Sequence, residues 1–264
     1  MFVSLASRLI LLAVLFFAPA SGLQAAISQS QAHAFYKFLM RLNTNSPLEH
    51  GGSHGTIGLG FGLGLGVYHA GVDNEILREH WRRVDGERWA VDNTNQRLVI
   101  PRLYIHKGLP GRWDVGFGLG QDAVANATLV SSYLQWTIFE EFATPALAFR
   151  GGISRLMGLA TTDATNISAD GVLSYGFLGM FTVYATIGVS RHQIQVRSGA
   201  EDYGTMLSLR PSGDEGSVES IFIGRSRSVG LQFQVLPPFV TLTVEVQVSG
   251  ESAVNYLAKV SLGI

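Results

Sequence analysis

Apolar and polar residues alternate one by one along most of this chain. Between residues 56 and 68 every second position is apolar, and nearly all the others are glycine. Because successive side chains of a β-strand point to opposite faces, a period of two predicts a strand with one apolar face. Four further segments repeat this pattern without a charge on the apolar face: 112–119, 181–190, 240–248 and 256–264.

Turn signals divide the chain into ten predicted strands. These strands cover residues 56–68, 97–107, 112–120, 129–142, 146–157, 170–177, 181–197, 227–235, 239–248 and 254–264. Tight turns alternate along the chain with longer polar loops, at 69–96, 121–127, 158–169 and 199–226. Short turns on one side and long loops on the other are typical of transmembrane barrels. A twelve-stranded alternative stays open, because segment 204–225 has room for another hairpin.

The apolar faces are long enough to cross a membrane. Most of them extend over about 9–11 residues, which matches the thickness of a bilayer and exceeds the usual length of a soluble strand. Hydrophobic residues make up 47 % of the chain, and only 15 % of its residues are charged, against roughly 25 % in soluble domains. A soluble β-sandwich also alternates, but these features favour an all-β fold, an antiparallel transmembrane barrel.

One helix is predicted ahead of the strands, at residues 30–43. Its apolar residues Phe35, Phe38, Leu39 and Leu42 recur at helical spacing and form one stripe,. We expect the helix to bury this stripe inside the barrel or across its periplasmic mouth, against inward-facing glycines. The alternative is that it lies on the inner leaflet, with Lys37 and Arg41 at the headgroups.

The first 25 residues have the features of a secretory signal peptide. Arg8 is their one charge, residues 9–17 are apolar, and Ala25 offers a small residue at the cleavage point,. We therefore predict three regions. The signal peptide covers 1–25, the N-terminal amphipathic helix and linker cover 26–55, and the barrel covers 56–264.

The region 56–264 resembles Gram-negative outer-membrane β-barrel proteins. The last strand, Tyr256–Ile264, alternates up to its end and resembles the C-terminal signal that barrel-assembly machinery reads, although Ile264 stands where an aromatic residue is usual. The turn 107–114 also looks like that of small uncharacterised barrels. The resemblance implies a bacterial outer-membrane location, with outer-membrane lipid and the barrel-assembly machinery as partners.

The sequence offers little sign of cofactor or metal chemistry. There is no cysteine, and none of the seven histidines forms a helical ligand pair,. Ser190 and His192 share the inner face of one strand, which alone is weak evidence for an enzyme. The net charge of −1 gives no basic stripe for nucleic acid,. We predict no cofactor, no metal, no nucleic-acid partner and no enzymatic activity.

Several charged or polar side chains fall on the inner parity of the predicted strands. The lumen-lining candidates are Arg102, His106, Arg112, Asp114, Arg150, Tyr184, Glu245 and Lys259, and Glu245 is expected to pair with Lys259. The predicted inward glycine surface consists of Gly58, Gly60, Gly62, Gly64 and Gly66, with further glycines at 116, 118 and 120. Fixed charge in a barrel of this size favours a narrow or gated conduit for a small or hydrophobic solute. The alternative is a closed structural or surface-interaction barrel that acts through its extracellular loops.

Overall fold

A computed structural model describes residues 38–69, 97–121, 127–140, 145–159, 162–177, 180–196, 210–211, 218–236, 239–249 and 253–263. The predicted signal peptide lies outside these residues. A short helix, α1, covers residues 38–42. The strands are β1 (Leu59–His69), β2 (Arg97–Leu109), β3 (Trp113–Gln121), β4 (Thr128–Phe139), β5 (Ala146–Met157), β6 (Thr162–Phe177), β7 (Phe181–Val196), β8 (Arg210–Pro211), β9 (Val218–Leu236), β10 (Val240–Ser249) and β11 (Ala253–Gly263).

Ten of these strands form a closed antiparallel barrel. Each strand pairs with the next along the chain, except that β7 pairs with β9, and β8 only adds two residues to the edge of β9. The barrel closes where β11 pairs with β1. The prediction of ten strands is therefore confirmed. The twelve-stranded alternative is wrong where it can be examined, because residues 220–224 belong to β9, while 206–209 lie outside the described residues.

Two strands are longer than their apolar faces predict. β6 begins at Thr162 and β9 at Val218, whereas the sequence predicts polar loops at 158–169 and 199–226. The early residues of β6 are small and polar, and Asn166 and Ser168 are buried inside the barrel. At 16 and 19 residues, these strands exceed the roughly 9–11 residues that cross a bilayer, so they extend beyond the apolar band.

The outer surface of the barrel is apolar and carries aromatic rings near one end. Trp113 stacks on Trp136 with ring centroids 5.7 Å apart, and Phe177 stacks on Phe181 at 4.9 Å. All four residues lie at the end of the barrel where the connections are short, which we name the short-turn end; the opposite end is the long-loop end. Such aromatic girdles mark the membrane interfaces of outer-membrane barrels. Among the described residues, no helix is long and apolar enough to cross a bilayer.

The barrel is filled by the chain that precedes β1. We call residues 38–58 the plug. It begins with α1 among residues of the long-loop end and reaches the short-turn end, where the backbone amide of Gly108 donates to the carbonyl oxygen of Gly58 at 2.9 Å. The helix predicted for 30–43 is confirmed over 38–42, and its earlier part lies outside the described residues.

Candidate functional site

The apolar stripe of the predicted helix is buried in the barrel interior. Phe38, Leu39 and Leu42 are each at most 1 % exposed. They belong to an apolar cluster with inward side chains at the long-loop ends of the strands, among them Leu98, Ile100, Leu129, Leu156 and Ile194. The helix therefore lies inside the long-loop end, and not at the short-turn mouth or on the membrane surface. Leu257, the one apolar residue on an otherwise polar inner face, belongs to the same cluster.

Beyond α1 the plug has no regular structure, and side chains of the barrel satisfy its backbone. The Arg150 guanidinium donates to the carbonyl oxygen of Glu49 at 2.7 Å, and the Thr137 hydroxyl donates to that of Gly51 at 2.9 Å. The Gln135 amide donates to the carbonyl oxygen of His50 at 3.1 Å. Buried backbone groups need such partners. These inward side chains therefore fix the path of the plug.

Glu49 is the centre of a buried ionic cluster. Its carboxylate pairs with the ammonium group of Lys259 on β11, and its second oxygen lies 3.4 Å from Nε2 of His54. Nδ1 of His54 lies 3.2 Å from the carboxylate of Asp114 on β3. Because both ring nitrogens of His54 face carboxylates, the imidazolium form satisfies both contacts. We name these four residues, together with His106, the Glu49 cluster.

His106 connects the cluster to the barrel wall. Its Nε2 lies 3.2 Å from both Lys259 Nζ and Glu49 Oε1, and its Nδ1 lies 2.6 Å from the hydroxyl oxygen of Tyr133. A neutral ring that carries its proton on Nδ1 can donate to Tyr133 and accept from the ammonium group of Lys259. The two cations, Lys259 and protonated His54, then balance the carboxylates of Glu49 and Asp114 within one buried site.

Two further polar contacts hold the plug nearer the long-loop end. Glu245 on β10 accepts hydrogen bonds from the hydroxyls of Ser46 and Tyr184, both at 2.7 Å. Arg102 on β2 donates to the carbonyl oxygen of Leu42 at 3.3 Å and to the hydroxyl of Tyr68. The interior charges are thus distributed along the whole plug.

Seven of the eight lumen-lining candidates are buried inside the barrel. These are Arg102, His106, Asp114, Arg150, Tyr184, Glu245 and Lys259. Arg112 is not among them, and that prediction is wrong: it is exposed in the turn before β3 with φ 64°. The predicted pair of Glu245 with Lys259 is also wrong, because Lys259 pairs with Glu49 of the plug. The sequence pattern could not supply this partner, since residues 43–55 have no periodicity.

The inward glycines contact tyrosine rings of the barrel wall. A Cβ at Gly64 would come within 2.9 Å of the Tyr104 ring, and one at Gly66 would lie against the Tyr68 ring. Gly62 faces the stem of Lys259, and Gly60 has more space. Gly58 precedes β1, against the backbone of His54. The expectation that α1 packs on this surface is wrong, because bulky inward residues of the wall already occupy it.

We expect Gly230→Ala to destabilise the protein by about 1–3 kcal/mol, the usual cost of overpacking. A Cβ at this position overlaps the ring of Tyr184, which would have to leave its hydrogen bond to Glu245. The measurement is urea-driven unfolding in lipid vesicles. The control is Gly151→Ala, where no atom lies within 4 Å of the added Cβ. Equal stabilities of the two variants would contradict this packing.

Ser190 and His192 also meet inside the barrel, where Ser190 Oγ lies 2.8 Å from His192 Nε2. A serine nucleophile needs a base that a third group orients. Nδ1 of His192 is buried without a hydrogen-bond partner among the described residues. The pair is therefore less than a catalytic triad. The described residues also contain no group of three or more His, Asp or Glu side chains that could hold a metal ion.

No protein-family model matches this chain, and no curated protein matches it. Similar solved structures include Ail, the attachment invasion locus protein of Yersinia pestis (10 % identity, 82 % of this chain, 100 % of that chain, TM-score 0.34). Others are the N-terminal β-barrel domain of Pseudomonas aeruginosa OprF (9 %, 80 %, 99 %, 0.32) and a KdgM porin (8 %, 78 %, 98 %, 0.34). These neighbours are outer-membrane β-barrel proteins. All three TM-scores are below 0.5, and it is the closed strand pairing that establishes the barrel.

Sequence reasoning missed the residues that organise the interior. Glu49 and His54 lie in a polar stretch that reads as a linker, so the sequence pattern does not mark them as interior residues. Tyr68, Tyr104 and Tyr133 fall on the inner parity of their strands, a signal that the alternation carries. Nothing local to residues 43–58 predicts that they enter the barrel.

Proposed function

We propose that this protein is a barrel of the Gram-negative outer membrane that conducts a small solute and is held closed by its plug. The single observation that carries the proposal is the way in which the plug is held. Between residues 43 and 57 the hydrogen bonds described between plug and wall each use a side chain, and the backbone bond from Gly108 to Gly58 lies at the end of the plug, next to β1. The plug can therefore move without breaking the barrel.

The outer surface supports the membrane location. Outward residues such as Leu63, Phe117 and Val229 are 58–70 % exposed and form an apolar band. Solvent-exposed apolar surface of this extent is unfavourable in water, and it becomes favourable in a bilayer. With the aromatic girdle at the short-turn end, this supports an orientation in which the long loops face outside. The barrel would reach that membrane through the assembly machinery, and the residues predicted to form its signal peptide would be removed.

The wall behind the plug supports a conduit. Arg102, Arg150, Glu245 and Lys259 line the interior. Charges in a membrane protein are expected to line a pathway or to be paired. Each of these four charged side chains contacts the plug. Displacement of the plug would therefore leave a charged, hydrated lumen. The size of a ten-stranded barrel supports a narrow path for a small solute.

A disulfide between the plug and the wall tests whether movement of the plug opens the barrel. A Cβ at Gly152 would lie 3.1 Å from Cγ of Asn45. The sulfur of Asn45→Cys stands near the position of that Cγ, so a cysteine at 152 can reach it to form a disulfide. The natural chain has no cysteine, so the pair in Asn45→Cys/Gly152→Cys has no competing thiol. We expect planar-bilayer recordings to show opening events under reducing conditions and none after oxidation.

The matched control is Asn45→Cys alone, whose openings should not depend on the reductant. The second candidate function is a closed barrel that interacts with partners through its loops, and the burial of Glu49, Asp114 and Lys259 favours it. In that case the reduced variant and the unmodified protein would both remain silent at all voltages. Silence of both proteins, with the barrel folded, would rule out the conduit and leave this second function.

A further inference from the structure

Three arginines project from the apolar outer surface of the barrel. Arg191 on β7 and Arg225 and Arg227 on β9 are exposed, on the same parity as the neighbouring Ile187 and Val229. A cation that faces lipid is strongly unfavourable unless it reaches a partner. No acidic side chain of the described residues makes an ion pair with any of the three within 4 Å. The described residues therefore do not supply the partner that these charges need.

Strand register brings the three side chains together. Val189 is paired with Arg225, and Arg191 with Ile223, so Arg191 and Arg225 are diagonal neighbours across β7 and β9. Arg225 and Arg227 are two residues apart on one face. Diagonal neighbours on one face of a sheet are about 7–8 Å apart. Long guanidinium side chains at these spacings can converge on a single anion.

A cavity of about 520 Å³ opens in the outer surface beside these arginines. Ala169 and Gly171 of β6 supply almost no side chain, and Phe149 and Ile187 form apolar walls on either side. Arg225 and Arg227 line the same cavity. Asp170 and Ser226, which are buried on the inner parity of their strands, also line the cavity. Its apolar walls and the two arginines at its side are complementary to an acyl chain with an anionic headgroup.

The arginines also lie at a suitable depth. Phe233 contacts Phe181 of the girdle, with ring centroids 6.1 Å apart, and Arg227 and Arg225 come six and eight residues earlier along β9. A strand tilted as in such barrels rises roughly 2.5 Å per residue along the membrane normal. Both residues therefore lie in the half of the apolar band that is nearer the long-loop end, and arginine can extend from there to the headgroups.

We propose that this face binds a phosphorylated, multiply acylated lipid of the outer leaflet. One acyl chain lies in the slot, and the guanidinium groups of Arg191, Arg225 and Arg227 bind the phosphate. The inference rests on the proposed outer-membrane location and orientation, and it does not depend on whether the barrel conducts. A silent barrel can therefore still bind the lipid.

The test uses the full chain folded in phosphatidylcholine nanodiscs and titrated with diphosphoryl lipid A, with binding measured by native mass spectrometry. We expect Arg225→Gln/Arg227→Gln to weaken lipid A binding at least tenfold. Gly171→Leu should weaken it similarly by filling the slot without changing the charge. Arg112→Gln is the matched control, since Arg112 is an exposed arginine at the opposite end.

A stability measurement distinguishes a loss of lipid A binding from a failure of the double variant to fold. In phosphatidylcholine alone, Arg225→Gln/Arg227→Gln should be as stable as the unmodified barrel or more stable, because it removes two unpaired charges from the lipid face. Lipid A should stabilise the unmodified barrel and leave the double variant unchanged. Equal lipid A affinity in both proteins would overturn the proposal. Loss of a dimer in the double variant, without any effect of lipid A, would assign the face to a second copy of this chain.

Discussion

Glu49→Ala is expected to destabilise the barrel by about 3–5 kcal/mol, as when one partner of a buried ion pair is removed. Lys259 is 1 % exposed and has Glu49 as its carboxylate partner. Without that carboxylate, two cations, Lys259 and His54, remain in the interior opposite Asp114 alone. Urea-driven unfolding in lipid vesicles, followed by tryptophan fluorescence, measures the loss.

The control for this prediction removes both charges of the pair. Glu49→Gln/Lys259→Met should recover most of the lost stability, because replacing a buried ion pair by neutral groups of similar volume is often close to neutral. The two changes should therefore be strongly non-additive, as expected for residues in contact. The single variants for this comparison are Glu49→Gln and Lys259→Met. If the double variant loses as much unfolding free energy as these two variants lose together, Glu49 and Lys259 do not form the pair described above.

Leu63→Arg is expected to cost about 2–4 kcal/mol of stability, the range for arginine at the midplane of the lipid face. Leu63 lies at the middle of β1 and is 70 % exposed on the outer surface. The matched control is Leu236→Arg at the short-turn end of β9, where the same substitution should cost about 0–1 kcal/mol because the side chain reaches the interface. Reversible folding into vesicles measures both. A cost that does not depend on depth would contradict a bilayer-spanning barrel.

The strand number and the outward parity could be predicted because alternation is a local property of the sequence. Successive side chains of a strand point to opposite faces. Leu63 and Phe117 belong to the apolar set of their strands, and this set faces outward. The early part of β6 could not be predicted in this way. Its inward polar residues, such as Asn166, face a filled interior, so the strand continues where the apolar pattern stops.

The interior could be predicted only as a set of inward charges. The partner of Lys259 depends on a contact with Glu49, 210 positions away in the chain, and no local pattern carries such information. The wrong expectation that α1 packs on the inward glycines has the same cause. Gly64 and Gly66 do permit close approach, as predicted, but the approaching groups are Tyr104 and Tyr68 of the wall.

The direction of the plug constrains the order of assembly. It runs from the long-loop end to the short-turn end, where the chain reverses and begins β1. β1 pairs with β2 on one side and with the last strand, β11, on the other. A cylinder already sealed along β1 and β11 would have to admit a polar chain through its whole length. A sheet that curls while residues 38–58 already lie on its concave side meets no such obstacle. The N-terminal segment would then serve as an internal template for curvature, with the pairing of first and last strands as the final step.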